Sequence, residues 1–145
     1  MESYNRVFEI ERNDIGNAGT VASLTKRELK KRGLSRDFVK KVTIGVYEAE
    51  INVVIHSYGG TVEVEINEEF IEITYKDRGP GIENIENAMT EGFSTASKYA
   101  IENGFGAGMG LPNIKAVSDE MSLTSSKDGT NLIIKFFIRE DSYEN

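Results

Sequence analysis

The sequence predicts an α+β fold: a two-layer sandwich, with a mixed sheet and helices on one face. Three observations carry this. The expected elements run strand, two helices, hairpin, short helix, glycine-rich segment, helix, hairpin. The helices come in blocks instead of alternating strictly with strands, which is the α+β pattern. A length of 145 residues suits one domain, 1–145, able to bury a core without disulfide or metal staples.

Each element has a local reason. Residues 4–11 read as a strand with Val7, Phe8 and Ile10 apolar. Asn13 or Asp14 is placed to cap a helix running to Gly33, with Val21, Leu24 and Leu29 at near-helical spacing and Gly33 suited to a left-handed C-terminal position. Ser35 can cap the next helix. Its Phe38, Val42, Val46, Ala49 and Val53 recur every three or four residues, which makes a core face. Gly59-Gly60 stops it.

A hairpin follows. Val62, Val64 and Ile66 alternate with polar residues, Asn67-Glu68-Glu69 turns the chain, and Ile71, Ile73 and Tyr75 alternate again. Asp77-Arg78-Gly79-Pro80-Gly81 ends that strand, and a short helix is expected over 82–89. Residues 90–110 are rich in Gly, Ser, Thr and Ala without a sustained period, the pattern of a functional lid. Pro112 fits the first turn of a helix reaching about Asp119. Strands at 121–126 and 131–139 flank the turn Lys127-Asp128-Gly129, and residues 141–145 are expected to fray.

Composition excludes several functions. No Cys is present, so there is no disulfide, thiolate metal site or Cys nucleophile. No signal peptide is visible, and no apolar run approaches the roughly 20 residues of a membrane span. A cytoplasmic protein without membrane contact is expected. A net charge of −7 argues against direct nucleic-acid binding, which relies on neutralising phosphates. The charge is uneven: residues 26–41 hold eight basic side chains against Glu28 and Asp37, a balance of +6 that leaves the remainder at −13. This is either a solvated helix surface or a docking patch for an acidic partner.

Four constellations could carry chemistry. Four-residue steps place Glu48, Asn52 and His56 on one helical stripe. An amide oxygen there suits Mg²⁺, which prefers oxygen ligands and keeps several waters; a carboxylate there could polarise a hydroxyl. A polar edge beside the core face is the plainer alternative. Asp77 at a strand end could accept from an exocyclic amine, and Gly79 and Gly81 let backbone approach a planar ligand, although the same residues make ordinary tight turns. Gly104, Gly106, Gly108 and Gly110 alternate directly before a helix opened by Leu111-Pro112. Bare amides plus a helix N-terminus favour phosphates. This run is neither G-x-x-x-x-G-K-[ST] nor G-x-G-x-x-G. Finally, Thr130 after Asp128-Gly129 could reach a base, or simply follow a hairpin turn.

Taken in order, these elements resemble the GHKL ATPase superfamily with its Bergerat-type ATP-binding fold. Glu48…Asn52 looks like the N box, Asp77-x-Gly79-x-Gly81 the G1 box, 104–110 the G2 box and Gly129-Thr130 the closing Gly-Thr. Within it, Glu48 to Tyr58 is similar to the small bacterial anti-sigma-factor/serine-kinase (switch kinase) branch, including a His four residues after the Asn. Sensor histidine kinases generally carry Lys where this chain has Ile55, and the only His is His56. The gyrase, Hsp90 and MutL branches add a second domain for which 145 residues leave no room.

The resemblance implies ATP and Mg²⁺ as cofactors. Asn52 would coordinate Mg²⁺, and Glu48 would be the general base. Asp77 would hold the adenine amine, with Gly79, Gly81 and Thr130 near the base. Gly104, Gly106, Gly108 and Gly110 would bring amides to the phosphates, flanked by Met109 and Leu111, with Lys98 solvated or near a phosphate. The implied activity is γ-phosphoryl transfer to Ser or Thr of a regulatory protein, a STAS-type antagonist, with a sigma factor as a further partner; relatives are commonly homodimers. The alternatives are a nucleotide-dependent protein-sequestering module without transfer, and a metabolic small-molecule ATPase or kinase.

Overall fold

The computed structural model describes residues 2–80, 89 and 110–144. Strand β1 (Tyr4–Ile10) leads through a 3₁₀ turn (Ile15–Asn17) to helices α1 (Thr20–Lys31) and α2 (Arg36–His56). Strands β2 (Gly60–Ile66) and β3 (Phe70–Asp77) follow, then helix α3 (Gly110–Val117), strands β4 (Glu120–Ser126) and β5 (Gly129–Phe137), and a second 3₁₀ turn (Glu140–Ser142). The short helix expected over 82–89 and the lid expected over 90–110 lie outside the described residues, apart from Met89 and Gly110.

The sheet order is β1-β2-β3-β5-β4, and every pairing is antiparallel. The mixed sheet expected from the sequence is therefore corrected. β3 and β4 do point the same way, but β5 inserts between them, so no parallel ladder forms among the described residues. Register explains the core. Val62, Tyr75 and Leu132 stand opposite one another in turn, as do Val64, Ile73 and Ile134, and Ile66, Ile71 and Phe136. All nine are buried. The alternate positions, such as Glu63, Glu65, Glu72 and Lys76, are exposed or half-buried. An antiparallel sheet with one covered face reads as this alternation.

Helix α2 covers the inner face. Phe38, Val42, Val46, Ala49 and Val53 are all buried, as their spacing predicts. Ser35 accepts from the Phe38 amide at 3.2 Å, making the expected cap. Gly45 lets α2 sit close: an added Cβ would stand 2.9 Å from the Phe136 ring and 3.3 Å from Val117. The Tyr75 hydroxyl donates to the Val46 carbonyl at 3.0 Å, which satisfies a buried polar group and ties α2 to β3.

Three local expectations are corrected. α1 does not start at Asn13 or Asp14. Asn13 adopts φ 57° and donates its amide to the Val54 carbonyl, while the Asp14 carboxylate binds the Asn17 side chain. The helix begins after Gly19, φ 95°. Nor do residues 141–144 fray. Ser35 donates to the Ser142 carbonyl at 2.7 Å, Glu144 donates to the Gly33 carbonyl at 2.9 Å, and Leu34 and Tyr143 form a β-bridge. Backbone bonding to the α1–α2 turn, which composition does not announce, holds this segment. α3 ends at Val117, two residues short of the expected Asp119.

Candidate functional site

One flank of α2 meets the start of α3. A Cβ added to Gly110 would stand 2.9 Å from Asn52 Oδ1 and 3.1 Å from Nδ2. Only glycine lets the first residue of α3 close onto that carboxamide. One turn earlier on α2, Glu48 is half-buried. Burial pushes its carboxyl above the ordinary glutamate range, and a hydrogen-bonding interaction with the Asn113 side chain pulls the other way. Desolvation disfavours the charged form and a donor favours it, so the two causes oppose. Asn113, in the first turn of α3, had no role assigned from sequence. Its signal is its position three residues after Gly110, on the face that returns to the Glu48…Asn52 stripe.

The second part sits where β3 meets β5. Asp77 Oδ1 accepts from the Gly79 amide at 3.0 Å and from the Thr130 amide at 2.9 Å. Asp77 Oδ2 has no partner among the described residues, so the carboxylate is oriented through one oxygen and open at the other. Gly79 has φ 99°, and a Cβ there would meet the Lys127 carbonyl at 3.1 Å. A side chain would be strained twice over. The Gly79 carbonyl accepts from the Tyr58 amide at 2.8 Å, and the Gly59 carbonyl from Arg78 at 2.9 Å, which pins this loop to the end of α2. Gly129 leaves room for the Asp77 carbonyl where a Cβ would otherwise stand.

Thr130 is 9% exposed, and its hydroxyl lies 2.8 Å from that of Ser125. Its amide orients Asp77 while its hydroxyl is engaged across β4. Leu111 belongs to the core cluster at 8% exposure, so its side chain is committed to packing. His56 closes α2, and burial pushes its imidazole below the ordinary range. Gly81, Gly104, Gly106, Gly108, Met109 and Lys98 lie outside the described residues.

Glu50, between Glu48 and Asn52, does something else. It is 2% exposed and accepts from the amides of Gly19 at 2.9 Å, Val21 at 3.2 Å and Ala22 at 3.0 Å. These are among the first amides of α1, which lack partners within their own helix. Burial raises its carboxyl, and the amide bonds lower it in part.

A bound Mg²⁺ would find in Asn52 a single oxygen donor, and among the described residues no cluster of three His, Cys, Asp or Glu could hold a metal. That suits an ion which keeps its waters and borrows phosphate oxygens. Among the described residues no helix is long and apolar enough to cross a membrane.

The α+β scaffold thus places a carboxylate and an amide against the start of a helix and an oriented aspartate between two strands. The chain belongs to the histidine kinase-like ATPase domain family, whose model matches residues 12–136. It is similar to an anti-sigma F factor of Clostridium beijerinckii, 34% identical over 106 residues and covering 68% of this chain and 71% of the relative. It is also similar to the serine/threonine-protein kinase RsbT of Bacillus subtilis, 31% identical over 97 residues, 63% of this chain and 67% of the kinase. The RsbU and RsbW domains of Rv1364c from Mycobacterium tuberculosis share the fold, with TM-score 0.62 at 15% identity, over 98% of this chain and 35% of that one. So does the SiaB-SiaC complex from Pseudomonas aeruginosa, with TM-score 0.56 at 15% identity, over 92% of this chain and 89% of that one.

Proposed function

We propose that this chain is a cytoplasmic regulatory ATP-binding protein that transfers the γ-phosphoryl group of ATP to a Ser or Thr of a protein partner. The partner class is a STAS-type antagonist, in a partner-switching system of the anti-sigma kind. One observation carries the reading: a single flank of α2 presents Glu48 and Asn52 to the first turn of α3, with Gly110 closed on Asn52.

Asn52 Oδ1 would hold Mg²⁺, which would neutralise phosphate charge. The open Asp77 oxygen accepts from the adenine amine, with Gly79, Gly81 and Thr130 shaping the pocket around the base. Gly104, Gly106, Gly108 and Gly110 would bring backbone amides to the phosphates, flanked by Met109 and Leu111. Glu48 takes the proton of the acceptor hydroxyl as its oxygen bonds to the γ-phosphorus and the bond to ADP breaks. Little covalent work falls to the protein in such a transfer, so positioning and charge neutralisation dominate. A half-buried carboxyl raised above its ordinary range is a stronger base than a solvated one.

The test is labelled ATP with a STAS-type protein and the full chain. Phosphate should appear on the partner with wild type and be lost with Glu48→Gln, while ATP affinity stays. Asn52→Ala should remove Mg²⁺-dependent ATP binding in calorimetry, and wild-type affinity in that variant would sink the site. If ATP changes partner affinity but no phosphoprotein forms, the chain is a nucleotide-dependent sequestering module.

A further inference from the structure

The basic stretch acquires a shape in the fold. α1 and α2 form an antiparallel helical hairpin, since Glu50 of α2 reaches the first amides of α1 and only Arg32–Ser35 separate the helices. The inner side of α1 holds Val21, Ala22, Thr25 and Leu29, all buried. Its outer side holds Lys26, Arg27, Lys30 and Lys31, all exposed. The adjoining first turns of α2 add Arg36, Lys40 and Lys41, also exposed. Among the described residues none of these seven forms an ion pair; the stretch's one pair is Arg32 with Glu28 at 3.1 Å. Seven unneutralised cations at one corner of an otherwise acidic chain make a local potential that the net charge hides.

The corner also points somewhere. Ile44 is 37% exposed, one of three large exposed hydrophobics among the described residues. It lies four residues after Lys40, three after Lys41 and four before Glu48, so these side chains share one helical stripe. Lys41 and Glu48 are about 10 Å apart along the axis at 1.5 Å per residue. A surface seated on Lys40 and Lys41 therefore covers Ile44 and ends at the carboxyl assigned as base.

We propose that the C-terminal half of α1 and the first two turns of α2, with Ile44 as the apolar contact, dock an acidic face of the protein that brings the Ser or Thr hydroxyl to Glu48. This rests on the transfer reading above and adds where the acceptor protein is held and what charge it carries. Charge complementarity selects the occupant. The +6 corner repels basic surfaces, and the apolar residue before Glu48 favours a protein over a purely polyanionic ligand.

The probes are two fluorescent peptides, each with one serine and a leucine, flanked by Asp/Glu or by Asn/Gln. Binding to the full chain is read by anisotropy, which requires no transfer, and ATP binding is measured in parallel. The acidic peptide should bind at least about tenfold tighter at low salt, with the preference shrinking as salt rises. Lys30→Glu/Lys41→Glu should erase the preference and leave ATP affinity intact. Lys30→Gln/Lys41→Gln should fall between, and Ile44→Ser should weaken the acidic peptide without touching ATP. Asn52→Ala should lose ATP and keep the peptide, so failure of the nucleotide site and failure of the docking face give different patterns. Equal binding of both peptides overturns the proposal, as does a preference that survives charge reversal. Competition by duplex DNA as effective as by polyglutamate, with no effect of Ile44→Ser, makes the corner a general polyanion surface and also overturns it. So does a dimer in sedimentation that Lys30→Glu/Lys41→Glu dissolves, which assigns the face to a second copy.

Discussion

Helix α2 has two polar flanks that look alike in sequence and behave oppositely in the fold. On one, Glu50 is buried and its carboxylate takes three backbone amides at the start of α1, those of Gly19, Val21 and Ala22. On the other, Glu48 is half-buried against Asn113, and Asn52 faces Gly110. Both carboxyls are raised by burial, so titration alone does not separate them. Satisfaction does. Glu50 is fully engaged in capping a helix, whereas Glu48 keeps capacity for a reacting group. A carboxylate whose bonds are complete serves the fold, and one left with capacity can serve chemistry.

The sharpest way to break this contrast is to neutralise each acid. Glu48→Gln keeps the shape and removes the proposed base, so transfer should drop about 10²–10⁴-fold with the denaturation midpoint unchanged. An equal loss of stability in Glu48→Gln would falsify the division. Glu50→Ala leaves three amides at the start of α1 unbonded in a buried place and should lower stability by about 2–4 kcal/mol, read by urea unfolding. Transfer per folded molecule should survive that change. Gly110→Ala adds a methyl 2.9 Å from Asn52 Oδ1. It should weaken Mg²⁺-dependent ATP binding several-fold while circular dichroism stays native, and an unaffected affinity would mean that Asn52 moves freely. The smallest effects are those of pH. If Glu48 is the base as proposed, transfer requires it ionised, so the acid limb should fall above the ordinary carboxylate value of about 4.3; a limb at or below that value points to another base. For Glu50 the folded chain holds the proton more tightly than the unfolded chain. That contribution to stability is complete below the ordinary glutamate pKa and is lost as pH rises through the raised value. Glu50→Gln should remove that slope.

Much of the fold was legible because it rests on period. Val62, Val64, Ile66, Ile71, Ile73 and Tyr75 alternate and are all buried. The α2 core face follows the 3.6-residue repeat. What stayed hidden was what non-local partners decide. The start of α1 is set by Glu50, about thirty residues away, so local capping signals at Asn13 and Asp14 misled. The order of β3, β5 and β4 depends on where a hairpin docks, which no local pattern encodes. The site divides in the same way. Of the proposed site, the Glu48…Asn52 spacing and the Asp77 turn could be singled out from the sequence. Asn113 and the orienting role of the Thr130 amide could not, since both arise from contacts between distant segments.

The placement of β5 has a consequence for how the molecule assembles. Its two hairpins, β2–β3 and β4–β5, are local, but the β3–β5 ladder that joins them brings Asp77 to Thr130 across 53 residues. Closing a flexible loop of that length costs about 3–4 kcal/mol of chain entropy by the logarithmic rule, and non-local pairing of this kind is slow. The hairpins should therefore gain amide protection first and the central ladder last. Simultaneous protection of all four strands in pulsed hydrogen exchange would contradict this. The Gly79 amide can reach Asp77 locally, but the Thr130 amide reaches it only when that last ladder closes, so a chain caught before this step would have its hairpins formed and the proposed adenine pocket incomplete.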